Sequence, residues 1–248
     1  SVLEFLSASQ INDMIESGAL AVSAATRMLF SLSDTQTLLP KPSMRPVAGW
    51  LALLSQEIFD AVLTVEPSTL LIHGDPESMS DVQCGRVLQA FIARHGAGQW
   101  RGLDVPDLQL DRLARKPLQT VILHGWSSGI ENPEVRQILI KLAASGRYAQ
   151  CADLMVAIAG DANADDRERF DALYALIELG DYRVDALLES AASLEPGWNA
   201  HIACWIATHF YPEHVNEDQL VGLLTHAQTG HRRDDYFASS MARVIERA

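Results

Sequence analysis

Apolar residues recur every three to four positions along most of the chain, which is the spacing of one face of an α-helix. The clearest example begins at Asn132-Pro133-Glu134, where the asparagine predicts an N-cap, proline suits the first helical position and the acid suits the first turn. Gly146 marks its end. The residues that share its apolar face are Val135, Ile138, Leu139 and Leu142. They predict one amphipathic helix.

Helical patterns of this kind cover both halves of the chain, and strand patterns hardly occur. In the C-terminal half we predict further helices over residues 148–159, from Asp165 to a stop at Gly180, and over 184–193, 199–209, 217–226 and from 234 onward. In the N-terminal half we predict helices over residues 2–17, 22–32, 45–54, 56–65, 67–72, 80–95 and 108–114.

The predicted helix that follows Asp165 has a well-defined apolar face. Phe170, Leu173, Leu176 and Ile177 form that face. The spacing therefore predicts that four charged residues of the same helix point outward, namely Arg167, Glu168, Arg169 and Asp171.

Two breaks interrupt the N-terminal half. Prolines at 40, 42 and 46 push the preceding residues away from helix, and the glycine-rich stretch 96–106 predicts a loop. After the first break, Ser80 and Gln83 have the spacing of a capping box, which places a helix start there. We take the loop as the divide between an N-terminal helical sub-bundle, residues 1–100, and a helical-repeat array, residues 101–248. One continuous solenoid is the alternative.

Helices of roughly 10 to 16 residues joined by short turns cannot bury their apolar stripes alone. Stacking each helix pair on the next would create a continuous core, as in armadillo and HEAT repeats. We therefore predict an all-α fold, an α-α superhelix built as a degenerate HEAT-like or armadillo-like stack of antiparallel helix pairs. No strict repeat period is evident in the sequence.

The composition limits the partners. The 248 residues carry a formal net charge of -13, with only three lysines, so a phosphate-neutralising face for nucleic acid or an anionic membrane is not expected. No uncharged apolar run approaches the roughly 20 residues that span a bilayer. Three dispersed cysteines, Cys84, Cys151 and Cys204, fit neither a disulfide framework nor a metal motif. We expect a cytoplasmic protein.

One motif suggests catalysis. Residues 125–129 read Gly-Trp-Ser-Ser-Gly, a formal G-x-S-x-G, and 121–126 resemble a strand followed by an oxyanion turn. A nucleophile elbow needs a helix directly after the serine, yet here the helix signal begins only at Asn132. We interpret this segment as a turn linking two helices and expect no catalytic residue; a cryptic serine hydrolase centred on Ser127 remains the third hypothesis.

A second group of residues has metal-binding chemistry. His201, Cys204 and His209 lie loosely on one side of a predicted helix, and Glu213 and His214 follow. Since H-E-x-x-H and paired CxxC motifs are missing and the intervening residues are apolar, we predict packed or rim histidines and no metal site.

Other loops resemble ligand sites only in composition. The glycines of residues 96–102 lack the G-x-G-x-x-G spacing, no Walker A motif occurs, and the acids near Asp161 and Asp165 lack the glycine and glutamate of an EF-hand. We predict no cofactor.

The five tryptophans fall into two groups. Trp50 and Trp205 are predicted to be core residues. Trp100, Trp126 and Trp198 fall in or beside turns, where aromatic side chains can anchor a partner.

Three short segments resemble a known family. The N-terminal stretch Ser1-Val2-Leu3-Glu4-Phe5-Leu6-Ser7-Ala8 resembles an S-x-x-E-F-L-A-A segment found just after the ATPase module in NACHT-like members of the STAND class of P-loop ATPases. Residues 50–53, Trp-Leu-Ala-Leu, and 66–75, Glu-Pro-Ser-Thr-Leu-Leu-Ile-His-Gly-Asp, resemble a WLAxL and DPxxLLxxGD pattern in the helical region of large bacterial relatives. The likeness covers about residues 1–130, with Ser7 replacing alanine and Glu66 replacing aspartate.

The resemblance implies a role but maps no nucleotide-site residue onto this chain. It implies the C-terminal sensor of a bacterial defence protein, in which a helical array recognises a ligand, often a phage protein, and releases an upstream P-loop ATPase domain of the same parent chain to oligomerise. Because the chain begins with Ser1 and ends at Arg247-Ala248 within a predicted helix, we expect a segment of a longer protein. A free-standing HEAT-like protein-interaction adaptor is the alternative.

Overall fold

The computed structural model describes residues 2–32, 38–98, 102–115, 117–193 and 195–230. Within these ranges the chain is all-α: its α-helices pack on one another, and a single short hairpin supplies its strands. Trp100 and the predicted helix from residue 234 onward lie outside the described residues. Among the helices that are described, none is both long enough and apolar enough to cross a lipid bilayer.

The helices follow the predicted ones closely over most of the chain. They are α1 (Val2–Glu16), α2 (Val22–Leu29), α3 (Arg45–Leu54), α4 (Gln56–Val65), α5 (Ser68–Ile72), α6 (Asp81–His95), α7 (Asp107–Leu113), α8 (Leu118–Ser127), α9 (Pro133–Ser145), α10 (Ala152–Gly160), α11 (Asp166–Leu179), α12 (Arg183–Ala192), α13 (Ala200–Phe210) and α14 (Glu217–Gly230).

The predicted helix starts are confirmed by the capping contacts. Ser80 and Gln83 form a reciprocal capping box at the start of α6. The side chains of Asn132, Asp165 and Asn199 accept backbone N–H groups at the starts of α9, α11 and α13. These three caps follow one another at intervals of 33 and then 34 residues. The caps are therefore regularly spaced, although the sequence shows no strict repeat period.

Two elements differ from the sequence prediction. Residues 120–129, interpreted as a turn linking two helices, lie mostly within α8 (118–127), in which Leu118, Ile122 and Gly125 face the interior. Residues 30–32, predicted to end a helix, instead form strand β1 (Phe30–Leu32), which pairs antiparallel with β2 (Leu38–Pro40) and places Ser31 opposite Leu39.

The chain divides into two compact units, Ser1–Gly146 and Arg147–Ala248. Residues on both sides of the predicted divide at residue 100 belong to the first unit. Hydrogen bonds join them: the backbone N–H groups of Glu131 and Asn132 both donate to the carbonyl of Gly96, at 2.9 and 3.0 Å. The turn after α6 is therefore tied to the start of α9.

In the first unit, α3 lies between α1 and α4, α6 packs on α8, and α7 packs on α9. Its fully buried apolar side chains include Leu51, Phe59, Leu88 and Phe91. Gly49 permits a close approach in this core, because a Cβ there would lie 2.8 Å from the backbone of His73. In the second unit, α10 packs on α11, and α13 packs on both α11 and α14.

Helices α7 and α9 run in the same direction, and so do α12 and α14, as the order of their contacts shows. Lys141 and Ser145 of α9 bond to Asp107 and Asp111 of α7, each across 34 residues. In the second unit, a Cβ at Gly222 of α14 would clash with the carbonyl of Ala192 in α12. The side chain of Gln219 in α14 donates a hydrogen bond to Glu189 of α12. When antiparallel helix pairs stack on one another, each helix lies parallel to the next helix but one. The contacts of α7 with α9 and of α12 with α14 have this order.

The charged residues of α11 do not all point outward as predicted. Arg167 is exposed, but Glu168, Arg169 and Asp171 are buried. The Arg169 guanidinium donates to the carbonyls of Ala159 and Gly197. The prediction was wrong because α11 is covered on more than its apolar face, and the neighbouring turns supply hydrogen-bond partners.

Candidate functional site

Ser127 lies at the exposed end of α8. Its hydroxyl donates to the carbonyl of His124 in the same helix, at 2.8 Å. A nucleophile elbow needs a strand before the serine and an imidazole at the hydroxyl. Here a helix replaces the strand, and the hydroxyl proton is directed to a backbone oxygen. This geometry does not activate Ser127.

The predicted loose cluster on α13 is dispersed among separate partners. His201 Nδ1 lies 3.4 Å from Asp166 Oδ2, whereas His209 Nδ1 donates to the Trp205 carbonyl at 2.9 Å. Cys204 is buried, whereas His201 is half-buried and His209 is exposed. Within the described ranges no three His, Cys, Asp or Glu side chains come together in a way that could hold a metal ion.

The other cysteines and the acidic turn contain no reactive group. Cys84 and Cys151 are buried, and burial raises the pKa of the Cys151 thiol to about 11, which keeps it protonated. In the acidic turn, Asp161 accepts the backbone N–H of Asn163, and Asp165 caps α11. These side chains are occupied in shaping the turn.

The tryptophans are distributed differently from the prediction. Trp198, expected beside an exposed turn, is 8% exposed, with its indole N–H donating to Ser190 and the Arg169 guanidinium 4.3 Å above its ring. Trp126 is half-buried on α8 beneath Arg136. Trp50 and Trp205, expected in the core, are both half-buried at the surface.

Trp205 is the centre of an aromatic and basic surface. We call this surface the α11/α13 ridge; it consists of Arg167, Phe170 and Tyr174 of α11 together with His201, Trp205 and His209 of α13. The α13 residues are four positions apart and therefore share one face, and the α11 residues are similarly spaced at three and four. Tyr174 is 48% exposed.

The ridge is held rigid by ring contacts. The Phe170 ring contacts Trp205 edge-on at 5.7 Å between centroids and is stacked on Phe210 at 5.1 Å. The His201 ring lies 4.1 Å from the indole of Trp205. Such pairs are worth about 1 kcal/mol each beyond their burial. Trp205 is therefore fixed in one orientation while part of its ring system stays accessible.

The arginine of the ridge already has a carboxylate partner within the chain. Arg167 lies over the rings of Phe170 and Trp205 at 6.0 and 5.9 Å while it pairs with Asp171 at 3.0 Å. His201 faces Asp166. The ridge thus presents an aromatic surface whose arginine already pairs with a carboxylate.

Sequence reasoning did not identify this ridge. Trp205 was predicted to be a core residue because it lies in an apolar helix, and its neighbours Ile202 and Ile206 are fully buried. The available signal was the spacing of His201, Trp205 and His209, four residues apart, which places three amphipathic rings along one stripe of the helix.

The three segments that carry the family resemblance lie together in the first unit. Phe5 of α1 contacts Trp50 of α3 edge-on, with 5.4 Å between ring centroids. Gly49, beside that tryptophan, is packed against His73 and Gly74. The segments therefore form one structural cluster and no open site.

No family model, curated protein or solved structure matches the chain.

Proposed function

We propose that this chain is a non-catalytic protein-binding scaffold whose α11/α13 ridge is the recognition surface. The observation that carries the proposal is Trp205, a half-buried tryptophan held between Phe170 and His201 with Arg167 above its ring. Trp, Tyr and Arg dominate the energy of protein interfaces. The ridge brings all three residue types to one surface.

Preorganisation favours binding at this ridge. Ordering a flexible side chain on binding costs about 1 kcal/mol, and Trp205 is already ordered by its ring contacts. Because Asp171 already pairs with Arg167 and Asp166 lies against His201, a partner need not supply carboxylates. The partner surface that fits best is an uncharged segment with an apolar or aromatic anchor.

Within that proposal, the chain serves as the cytoplasmic sensor segment of a bacterial STAND-type ATPase in defence signalling. The support is the resemblance of residues 1–8, 50–53 and 66–75 to NACHT-like relatives, together with the packing of these segments against one another. The ligand would be a phage or cellular protein, and an upstream P-loop domain would couple its binding to oligomerisation.

The reading frame that encodes the chain tests the sensor role. A P-loop ATPase domain encoded upstream in the same frame is expected. A frame that begins at this segment would instead make the protein a free-standing adaptor and end the sensor proposal, while leaving the binding ridge to be tested separately.

A displayed library of random peptides, selected on the whole chain, tests the ridge. We expect selected peptides to bind about 100-fold more weakly to Trp205→Ala, a loss of about 3 kcal/mol by calorimetry. Tyr174→Ala, at an exposed position, should weaken binding without affecting the fold. Trp126→Ala is the matched control, since Trp126 is also half-buried beneath an arginine.

Selection that yields only peptides insensitive to Trp205→Ala and Tyr174→Ala, or equally sensitive to Trp126→Ala, would rule out the ridge as the recognition surface. Thermal unfolding of each variant separates loss of binding from loss of structure.

A further inference from the structure

A groove of 450 Å³ lies between α6 and α8 in the first unit, away from any residue discussed as a recognition site. Its α6 wall is formed by Gln89, Ile92 and Ala93, and its α8 wall includes Val121 and His124. The volume falls within the roughly 300 to 1,000 Å³ typical of small-molecule sites. The groove has room for a molecule of two or three rings.

The close approach of the two helices shapes the groove. At Gly125 a Cβ would lie 2.8 Å from Cδ1 of Ile92, so glycine allows α8 to lie directly against α6 at that point. Ala93, one residue further along α6, is too small to fill the space alongside. The apolar floor is therefore formed by Ile92 and Val121.

Three polar side chains at the rim of the groove are exposed. The side chains of Gln89, Thr120 and His124 lie at its edge and hydrogen-bond to no other described residue. Ser128, by contrast, donates its hydroxyl to the carbonyl of Gly125 at 2.7 Å. Three exposed polar side chains therefore surround an apolar floor, where they are available to hydrogen-bond a bound molecule.

The charge of the lining selects the ligand class. No Asp, Glu, Lys or Arg is among the described residues that line the groove, although charged residues make up 21% of the chain. An anion or a phosphate ester would find no lysine or arginine among those lining residues, and the net charge of -13 would repel it. We propose that the α6/α8 groove binds a small, uncharged, largely apolar molecule that hydrogen-bonds to Gln89, Thr120 or His124.

The fluorescent probe N-phenyl-1-naphthylamine, which is uncharged and has three rings, tests this proposal on the whole chain. We expect saturable binding of one probe molecule. Ala93→Trp, at an exposed position, should fill the groove and weaken binding at least tenfold. Val82→Trp is the matched control because Val82 is also exposed on α6 but does not line the groove.

A sulfonated relative of the probe, 1-anilinonaphthalene-8-sulfonate, tests the charge class. It should bind at least tenfold more weakly than the neutral probe. The proposal is overturned if the neutral probe does not bind. That result would be expected of a groove that accommodates only a helix of a partner protein. Equal weakening in Ala93→Trp and Val82→Trp, or equal affinity for the two probes, would also overturn it.

Discussion

His95 Nε2 lies 2.8 Å from Glu66 Oε1, and the two side chains are only 5% and 15% exposed. This pair joins the end of α6 to the turn between α4 and α5. Burial alone would raise the pKa of Glu66, but hydrogen bonds from His95 and Ser68 outweigh it and lower the pKa to about 2. Within the first unit, the pair links the segment 66–75 to the helix that lines the groove.

The Glu66 pair predicts a specific pH dependence. Because the folded pKa lies below the ordinary 4.5, Glu66 stabilises the fold above pH 4.5, and this contribution is lost as the pH falls toward 2. Glu66→Gln should lower the free energy of unfolding by about 2 kcal/mol at neutral pH. Urea unfolding should show the gap to wild type closing over that acid range.

Glu131→Gln provides the control, since Glu131 is exposed. It should leave both stability and its pH profile unchanged. A gap between wild type and Glu66→Gln that stays constant down to pH 2 would show that the carboxylate pair does not stabilise the fold.

The buried guanidinium of Arg169 predicts a large cost of substitution. Arg169→Met would leave the Ala159 and Gly197 carbonyls without their donor and remove the cation above Trp198. We expect a loss of about 3 kcal/mol in chemical denaturation. Arg147→Met should cost less than about 0.5 kcal/mol, since the Arg147 side chain is 74% exposed. Comparable losses in the two variants would contradict the assignment of Arg169 as a structural bridge.

Two helical glycines should respond in opposite directions to alanine. A Cβ at Gly49 would lie 2.8 and 2.9 Å from the backbone of His73 and Gly74, whereas at Gly85 it would meet nothing within 4 Å. Gly49→Ala should therefore destabilise the protein by about 2 kcal/mol. Gly85→Ala should stabilise it by up to about 1 kcal/mol through helix propensity. Thermal unfolding that moves both variants the same way would refute the close packing of α3 against residues 73–74.

Asn132 has two functions that one substitution separates. Its side-chain oxygen accepts the Glu134 N–H, and its amide nitrogen donates to the His95 carbonyl, both at 2.9 Å. Asn132→Asp keeps the cap but places an oxygen against that carbonyl, so we expect a loss of about 3 kcal/mol. Asp165→Asn, at the cap of α11, should change stability by less than about 0.5 kcal/mol. Unchanged denaturation of Asn132→Asp would show that the bond to His95 contributes nothing.

Helix starts were predictable because their signals are local. Ser80, Asn132 and Asp165 each bond to backbone within three residues, so the capping pattern can be recognised without tertiary information. The fold class followed from these caps and the helical spacing between them.

The misassigned features depend on contacts distant in sequence. Residues 118–127 contain two potential turn residues, Gly125 and Ser127, yet form α8 because Gly125 fits against Ile92 more than thirty residues earlier. Arg169 was predicted to point outward because helical spacing alone cannot indicate the carbonyl of Gly197 that it binds. The short strands at 30–32 and 38–40 are too brief to show a twofold alternation.

The candidate surface was only partly predictable. The sequence correctly drew attention to tryptophans and to His201 and His209, but it placed Trp205 in the core. Its position depends on which face of α13 is covered by α11 and α14, which is decided by packing between elements. The α6/α8 groove depends in the same way on a helix that the sequence did not predict.

Hydrogen–deuterium exchange of the whole chain, with and without a peptide selected on it, tests the central claim most directly. The account predicts slower exchange in α11 and α13 when the peptide is bound, and no such change in the Trp205→Ala protein. Protection confined to other helices, with α11 and α13 exchanging as in the free protein, would contradict it.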